Sequence, residues 1–488
     1  MERSKGVMQF LEAHSALKPV SFHMPGHKGS GLFKRTGCAS FMKNIADYDI
    51  TEIPGADNLF QAESIIKETA DKYKKLYDVR KSYLLINGTS GGILASVMTS
   101  VPKGKKLILA RNCHKSVFNA MTLGGIEPVY AYPDLIEDQE ISGAVSPVEI
   151  GRLLDENPDA EAVILPSPNY YGICSDIKAI AETVHEHGKI LIVDQAHGAH
   201  LKFFEEHKHS RGKVWSMPKS AESCGADFVI NSTHKTLASF TQSAVLNVCT
   251  DRGMELLNVL EDKLQAVEST SPSYLLMASL DINADIIKSD GRKLFNGWRK
   301  NIRWFYNKVS SIEELKIMNT ENLDTTKINI DLSAVGISGA ELEEILISYN
   351  IFPELVTGSI VMCMSGIGNT KSDYKKLYSA LKQIAQRAKA KSTAGSTLKG
   401  TFKNDSNVWA TKRALFALSD ERELVSLKEC GGRIAAASVI PYPPGIPLIC
   451  PGEKIDVEDC IYIASLREQG EKVIGVDEEG RIWVQKRV

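Results

Sequence analysis

The stretch Asp227–Leu237, "DFVINSTHKTL", runs an apolar strand straight into a histidine and a lysine placed side by side, His234 and Lys235. A lysine at the end of a buried strand is unfavourable unless its ammonium is paired or loses its charge. For an isolated His-Lys pair, a loop lysine reaching water is the plainer reading. The segments around this pair decide between the two.

Outward from Lys235, residues 60 to 250 alternate between short apolar runs and stretches of helical period. The runs are "YLLI" (83–86), "KLILA" (106–110), "PVYAY" (128–132), "AVILP" (162–166), "KILIVD" (189–194), "DFVI" (227–230) and "SAVLNV" (243–248). Between several of them lie amphipathic segments such as "SDIKAIAETVHEHG" (175–188), which opens on a Ser/Asp cap and closes on Gly188. Strands alternating with helices predict an α/β fold built on a mostly parallel seven-stranded sheet, covered on both faces. Ligands bind such sheets beyond the carboxyl ends of the strands, where the polar clusters of this chain fall.

At 488 residues the chain is too long for one ordinary core. An N-terminal arm (1–60) precedes the large domain (61–285). "GAELEEILISY", "DYKKLYSALKQIAQRAKAK", "KINIDL" and "SIVMCM" predict a smaller α/β domain over 286–390. The Ser/Thr/Gly/Lys-rich "AKSTAGSTLKGTFKNDSN" reads as a linker, placed at 391–410. An α+β domain (411–488) follows, closing on the alternation "GEKVIGVDEEGRIWVQKR", which predicts a hairpin turning at Glu479-Gly480.

Composition narrows the function. Hydrophobic residues make up 43% and charged residues 24%, as in soluble globular proteins, and the formal net charge is −2. No basic excess points to nucleic acid and no single-sign field to a membrane surface. No run of about 18 apolar residues could span a bilayer, and the N-terminal segment reads as a short amphipathic helix without the apolar stretch of a signal peptide. The nine cysteines are scattered singly with no C-x-x-C pair, which argues for reduced thiols in a cytoplasm. Histidines spaced 185/187, 197/200 and 207/209 invite a metal reading, but the first pair lies at a helix end and the last in a charged loop. We expect no metal.

Four strand-end clusters carry the chemistry. "NGTSGGILASVM" (87–98) follows a strand with Gly88, Thr89, Ser90 and Gly91-Gly92, then turns into a helix whose N–H groups and dipole suit a phosphate; a plain capped turn reads equally well. "ARNCHKS" (110–116) supplies His114, which alone could be a solvated loop histidine. "LIVDQAHGAH" (191–200) ends a strand on Asp194, with the small Ala196 and Gly198 leaving room for a flat ligand and His197 close by. The fourth holds Lys235. Together they offer a phosphate cup, an imidazole, a buried carboxylate and a strand-end lysine. Pyridoxal 5′-phosphate needs those parts: a phosphate anchor, a ring to stack on, an anion for its pyridine nitrogen and an amine for its aldehyde.

The order and spelling of "FHMPGHKG" (22–29), "DITEIPGADNL" (49–59), "NGTSGG", "RNCHKS", "VDQAHGAH", "STHKTL", "STSPSYLLMASLD" (269–281) and "PYPPGIPLICPGE" (441–453) resemble the bacterial ornithine/lysine/arginine decarboxylases of the aspartate-aminotransferase-like fold. The resemblance is to the short form without an N-terminal wing domain. It implies a PLP-dependent transferase-like large domain, an active-site segment in the N-terminal arm and a C-terminal decarboxylase domain. It also implies decarboxylation of lysine, arginine or ornithine to the amine, in polyamine biosynthesis, by a cytoplasmic homodimer with sites at the subunit interface and room for a higher oligomer.

Carried over motif by motif, the resemblance makes Lys235 the Schiff-base lysine and Asp194 the partner of the pyridine nitrogen. His114 would stack on the ring and Ala196 pack on its other face. Thr89, Ser90 and Ser232 would hold the phosphate, with His234 beside it or over the substrate. His197 would lie near the α-carboxylate, and Thr270 would reach the neighbouring subunit's phosphate. Lys235 or His234 would return the proton after CO₂ leaves. One letter departs: Gln195 stands where many relatives have an acidic residue, removing a negative charge close to the site. Asp57, Glu52 and Glu453 are the carboxylates considered for the substrate's distal cation, and a surface or structural ion pair is the plainer reading of any single one. "FHMPGHKG" could be a substrate lid or a subunit contact. An aminotransferase or carbon-sulfur lyase on the same fold is the nearest alternative; it would want an arginine on the α-carboxylate, and the clusters hold only Arg111. A catalytically silent relative is the other.

Overall fold

The structure, a computed structural model, describes residues 6–136, 141–205, 217–392, 421–442, 445–468 and 472–486. After helix α1 (Val7–Ala16) and an arm of short turns comes α2 (Ile65–Tyr77). The large domain then alternates: β1 (Lys81–Leu85), α3 (Gly88–Ser100), β2 (Lys106–Ala110), α4 (Lys115–Gly124), β3 (Glu127–Ala131), α5 (Pro147–Glu156), β4 (Ala160–Pro166), α6 (Ile177–Glu186), β5 (Ile190–Asp194), β6 (Phe228–Asn231) and β7 (Ala244–Val248). These strands form the expected seven-stranded sheet in the order β1-β7-β6-β5-β4-β2-β3. Only β7 runs against its neighbours. Both faces are covered, so Leu109, Ile164, Ile192 and Val229 are fully buried, and continuous apolar strands are what such a sheet requires.

Register fixes the site. Pro166 pairs with Asp194 and Asp194 with Ile230, so the segments leaving β4, β5 and β6 emerge side by side. β1 and β2 point the same way, which brings 86–90 and 111–114 to the same edge.

α7 (Leu257–Val267) is followed by α8 (Tyr274–Val309), whose Ser273 cap accepts from the Leu276 N–H. α8 runs unbroken through residue 285: its first half packs Met277, Leu280 and Ala284 against Tyr73 and Tyr77, its second packs Trp298 and Phe305 into the smaller domain. There β8 (Lys316–Ile317), β9 (Lys327–Asp331), β10 (Leu355–Thr357) and β11 (Ile360–Met364) form a sheet of order β8-β9-β11-β10, with α9 (Gly339–Ser348) and α10 (Lys371–Ser392) packed against it. Most of the linker lies outside the described residues.

The last domain holds β12 (Arg422–Ser426), β13 (Ile440–Tyr442), α11 (Val457–Glu468), β14 (Lys472–Ile474) and β15 (Arg481–Gln485) around Leu427, Ile449, Ile463 and Ile482. The expected hairpin is corrected here. A tight turn does form, with Gly480 N–H on the Asp477 carbonyl, but β14 pairs with β13 and β15 with β12; only Val476 and Ile482 bridge across the turn. Alternation along one chain marks strand faces and leaves the partner undetermined.

Candidate active site

Lys235 sits in a single helical turn, Thr233–Thr236, directly after β6. Its Nζ lies 2.9 Å from His197 Nε2. Burial pulls the amine down to about 8, with Lys327 acting the same way and Asp194 and Glu354 drawing it back up. His197 is held well below its usual range by burial first and by Lys235 next, so the neutral ring can accept from the ammonium. Its Nδ1 is buried without a hydrogen-bond partner, and its ring packs on Tyr170 at 4.6 Å between centroids.

Asp194, the last residue of β5, is buried and makes no ion pair among the described residues. Burial raises its carboxyl, while Lys235 and the Ala196 N–H, at 3.1 Å from Oδ1, work the other way. Ala196 is itself buried. His114 caps α4, with Nδ1 accepting from the Ser116 N–H and lying 2.9 Å from Ser116 Oγ; burial and then Lys235 bring it to about 4. Thr89 Oγ1 and Ser232 Oγ lie 3.2 Å apart, closing a cup between the ends of β1 and β6. Ser90 is exposed on the first turn of α3, and Gly88, at φ +69°, supplies the backbone freedom of that turn. Gly91 and Gly92 serve packing instead: a Cβ on Gly92 would stand 2.6 Å from Leu85 Cδ1.

His234 donates from Nδ1 to the Ser243 carbonyl at 2.8 Å, and burial pushes it down to about 4. Thr270 is exposed and makes no hydrogen bond to this cluster within the single chain. Gln195 faces away from Asp194. Its amide donates to Glu222 Oε2 (2.8 Å) and Asn231 Oδ1 (3.0 Å) and accepts from the Ala221 N–H (2.7 Å). The acidic group missing at 195 is therefore present next door, as Glu222.

The three carboxylates considered for substrate do other work or stand apart. Asp57 accepts four backbone N–H groups, from Asn58, Glu63, Ser64 and Ile66, and so caps the start of α2. Glu453 is buried beneath Arg111, Oε2 to Nη2 3.3 Å, and accepts from the Cys450 N–H. Arg111 donates further to the Pro447 and Leu448 carbonyls, so it joins the last domain to the large one. Glu52 is exposed.

Among the described residues no group of three or more His, Cys, Asp or Glu could hold a metal. His185 and His187 bond Asp227 and Asp155, and His200 bonds Asp324. His207 and His209 lie outside the described residues. No described helix is long and apolar enough to cross a membrane.

"FHMPGHKG" packs onto the lysine turn of its own chain. Gly26 donates to the His234 carbonyl (2.7 Å) and accepts from Gly368 (3.0 Å), and a Cβ on Gly26 would collide with the Thr236 backbone at 2.4 Å. Lys28 Nζ donates to the carbonyls of His23 and Met364, and burial, opposed by Glu354, brings it to about 7. Glu354, just before β10, accepts from the Met24 N–H at 2.8 Å and the Tyr170 hydroxyl at 3.0 Å. Sequence reasoning missed Glu354, Tyr170 and Lys28, because their proximity depends on contacts more than 180 residues apart.

A family model for "Orn/Lys/Arg decarboxylase, major domain" matches residues 6–330, and one for the C-terminal domain of the same family matches 401–481. The chain belongs to the Orn/Lys/Arg decarboxylase family. Similar relatives of this amino acid decarboxylase include an arginine decarboxylase of Bacillus subtilis, 31% identical over 96% of this chain and 94% of that one. A lysine decarboxylase of Pseudomonas aeruginosa is 24% identical over 91% and 73%. The fold of the decarboxylase is shared with the Francisella novicida lysine decarboxylase, at TM-score 0.73 and 21% identity, covering 94% of this chain and 78% of that one. A Sphingomonas wittichii serine palmitoyltransferase matches more distantly, at TM-score 0.58 and 15% identity, over 76% of this chain and 87% of that one.

Proposed function

We propose that the chain decarboxylates a basic L-amino acid, arginine first, with pyridoxal 5′-phosphate bound through Lys235. The observation that carries this reading is the Lys235–His197 contact of 2.9 Å beside the buried carboxyl of Asp194. The donor set fits the cofactor on its own chemistry: a buried acid without a cation, an amine pulled toward neutrality, and a hydroxyl cup at a helix start. Bound there, the cofactor supplies an electron sink for the pair left when CO₂ departs.

The chain's own groups do the rest. Asp194 keeps a cation at the ring nitrogen, and its burial makes that interaction strong. His114 and Ala196 would hold the two faces of the ring, and Thr89, Ser90 and Ser232 would take the phosphate. Lys235 returns a proton to the α-carbon; His234 is the weaker acid, because its one ring proton is engaged by Ser243 and it is neutral at pH 7. His197 orients the amine of Lys235 and would lie near the α-carboxylate.

Arginine is favoured by the higher identity to arginine than to lysine decarboxylases. Glu354 is the carboxylate we assign to the guanidinium: it is half-buried, fixed by Met24 and Tyr170, and its field reaches Lys235. The aminotransferase alternative loses its arginine, since Arg111 is spent on the C-terminal domain. Exposed Val7, Phe10, Tyr48, Ile50 and Ile53 on the N-terminal arm support a homodimer that covers them. A cytoplasmic role supplying amines for polyamine biosynthesis follows from the same reading.

The test is mass spectrometry of products after incubation of the cofactor-loaded protein with arginine, lysine and ornithine in separate reactions. Agmatine as the dominant product supports the reading; no amine from any of them overturns it. Glu354→Gln is expected to raise KM for arginine at least tenfold with a smaller change in kcat, and an unchanged KM removes Glu354 from recognition.

A further inference from the structure

Glu268 follows α7 and lies two residues before Thr270. Only 7% of it is exposed. Its Oε2 accepts from the Asn87 (2.9 Å) and Ile86 (3.0 Å) N–H groups, the residues that lead into α3. Its Oε1 is buried with no hydrogen-bond partner. That oxygen is aimed at the first turn of α3, where a Cβ added to Gly91 would stand 2.6 Å from it. Gly91 is thus the space the carboxyl needs, beside the turn that carries Thr89 and Ser90.

A carboxylate with a bare oxygen at this turn opposes a phosphate, because two anions would share one helix start. Among the described residues no cation acts on the Glu268 carboxyl; its hydrogen-bond partners are the Ile86 and Asn87 N–H groups. α3, Ile86–Asn87, residues 239–243 and residues 269–273 carry no charged side chain. On α7, Glu261 is turned to Lys81 and Tyr83, Asp262 is exposed, and Lys263 sits half-buried on the preceding turn. Burial pushes the Glu268 carboxyl up to about 7, against the pull of the Asn87 and Ile86 N–H groups.

We propose that Glu268 is a proton-gated positioning residue for the phosphate end: the cup holds the cofactor phosphate with Glu268 protonated, and ionised Glu268 loosens it. This rests on the cofactor reading above. Protonated, Oε1 carries the hydrogen and offers a donor where ionised it offers only charge, while Oε2 keeps its two backbone partners.

The experiment titrates cofactor-free protein with pyridoxal 5′-phosphate between about pH 6 and 9, following the visible absorption of bound cofactor, in wild type and Glu268→Gln. Glutamine keeps an acceptor for Ile86 and Asn87 and stays neutral. The two proteins should bind alike at pH 6; by pH 8.5 wild type should be weaker by about tenfold, the effect of one unit of coupling. Pyridoxal, which lacks the phosphate, should show no such divergence. Superimposed curves overturn the proposal, as does an equal divergence with pyridoxal, which would put Glu268 on Lys235 instead. Should Glu268→Gln not fold, wild type alone decides: calorimetry at pH 8 with pyridoxine 5′-phosphate, in buffers of different ionisation enthalpy, should show proton uptake, and no uptake overturns the proposal. Absence of any visible band in wild type at every pH overturns the cofactor reading itself.

Discussion

Two lysines meet the same histidine from opposite ends. Lys235 reaches the His197 ring at 2.9 Å, and Lys327 reaches its carbonyl at 3.0 Å. Their surroundings differ. Lys327 also pairs with Asp324 Oδ2 at 3.3 Å, and Asp324 accepts from His200 and from the Thr326 N–H. Burial works against the Asp324 carboxylate, but His200, Lys327 and Thr326 hold it below its usual range. Asp194, also buried, has no such company and is pushed up. A buried charge with its partners in place is structure; a buried charge short of partners is waiting for a ligand.

The sharpest way to break that contrast is to remove each lysine. Lys235→Ala should lose more than about 10³-fold in activity together with the visible absorption of bound cofactor, because it deletes both the anchoring amine and a proton donor. Its melting temperature should hold. Lys327→Ala should behave in reverse, losing about 2–4 kcal/mol in chemical denaturation because buried Asp324 keeps His200 and the Thr326 N–H but loses its lysine. Full activity in Lys235→Ala would end the site assignment.

The carboxylates extend the test with smaller effects. Asp194→Asn should lose about 10²-fold or more in kcat with stability unchanged or slightly raised, since it removes an unpaired buried charge. Asp324→Asn should cost stability and leave the cofactor spectrum alone. Their pH signatures have opposite signs. Asp324 has a folded pKa below the unfolded value of about 3.9, so its contribution is present above that value and lost as pH falls through the acid range. Asp194 has a raised folded pKa, so its contribution favours the fold at low pH and fades as pH rises. Urea midpoints at about pH 7 and pH 3 should therefore converge in Asp324→Asn relative to wild type. An unchanged spread would place the acid limb elsewhere.

What was legible in the sequence follows the same division. The strands of the sheet could be read because apolar runs buried on both faces leave a local mark, and the edge where Lys235, Asp194, His114, Thr89 and Ser232 converge follows from strand direction alone. Groups that matter through distant partners left no such mark. Asp57 and Glu453 stood open between substrate and structure; the fold makes Asp57 a helix cap and sets Glu453 against Arg111 to hold the last domain. Glu268 and Glu354 were ordinary glutamates until the fold set one against α3 and the other against Met24 and Tyr170.

Gln195 is the residue on which the two kinds of burial meet, one position from Asp194 and on the opposite face of the sheet. As a single letter it looked like a charge lost from the site. In the fold its amide fills the gap between Glu222 and Asn231, and Glu222 also accepts from Asn231 and Asn247. A glutamate at 195 would set two carboxylates about 3 Å apart in a buried network, where they cannot both ionise. Gln195→Glu should therefore lose about 1–2 kcal/mol at pH 8 and less at pH 5, where one proton is taken up readily. Adding Glu222→Gln restores a donor between the two side chains and should recover most of that stability. The double-mutant cycle reads this coupling directly. A kcat that follows the single mutant down and fails to return in the double would show that the charge at 195 acts on the Asp194 side of the sheet after all.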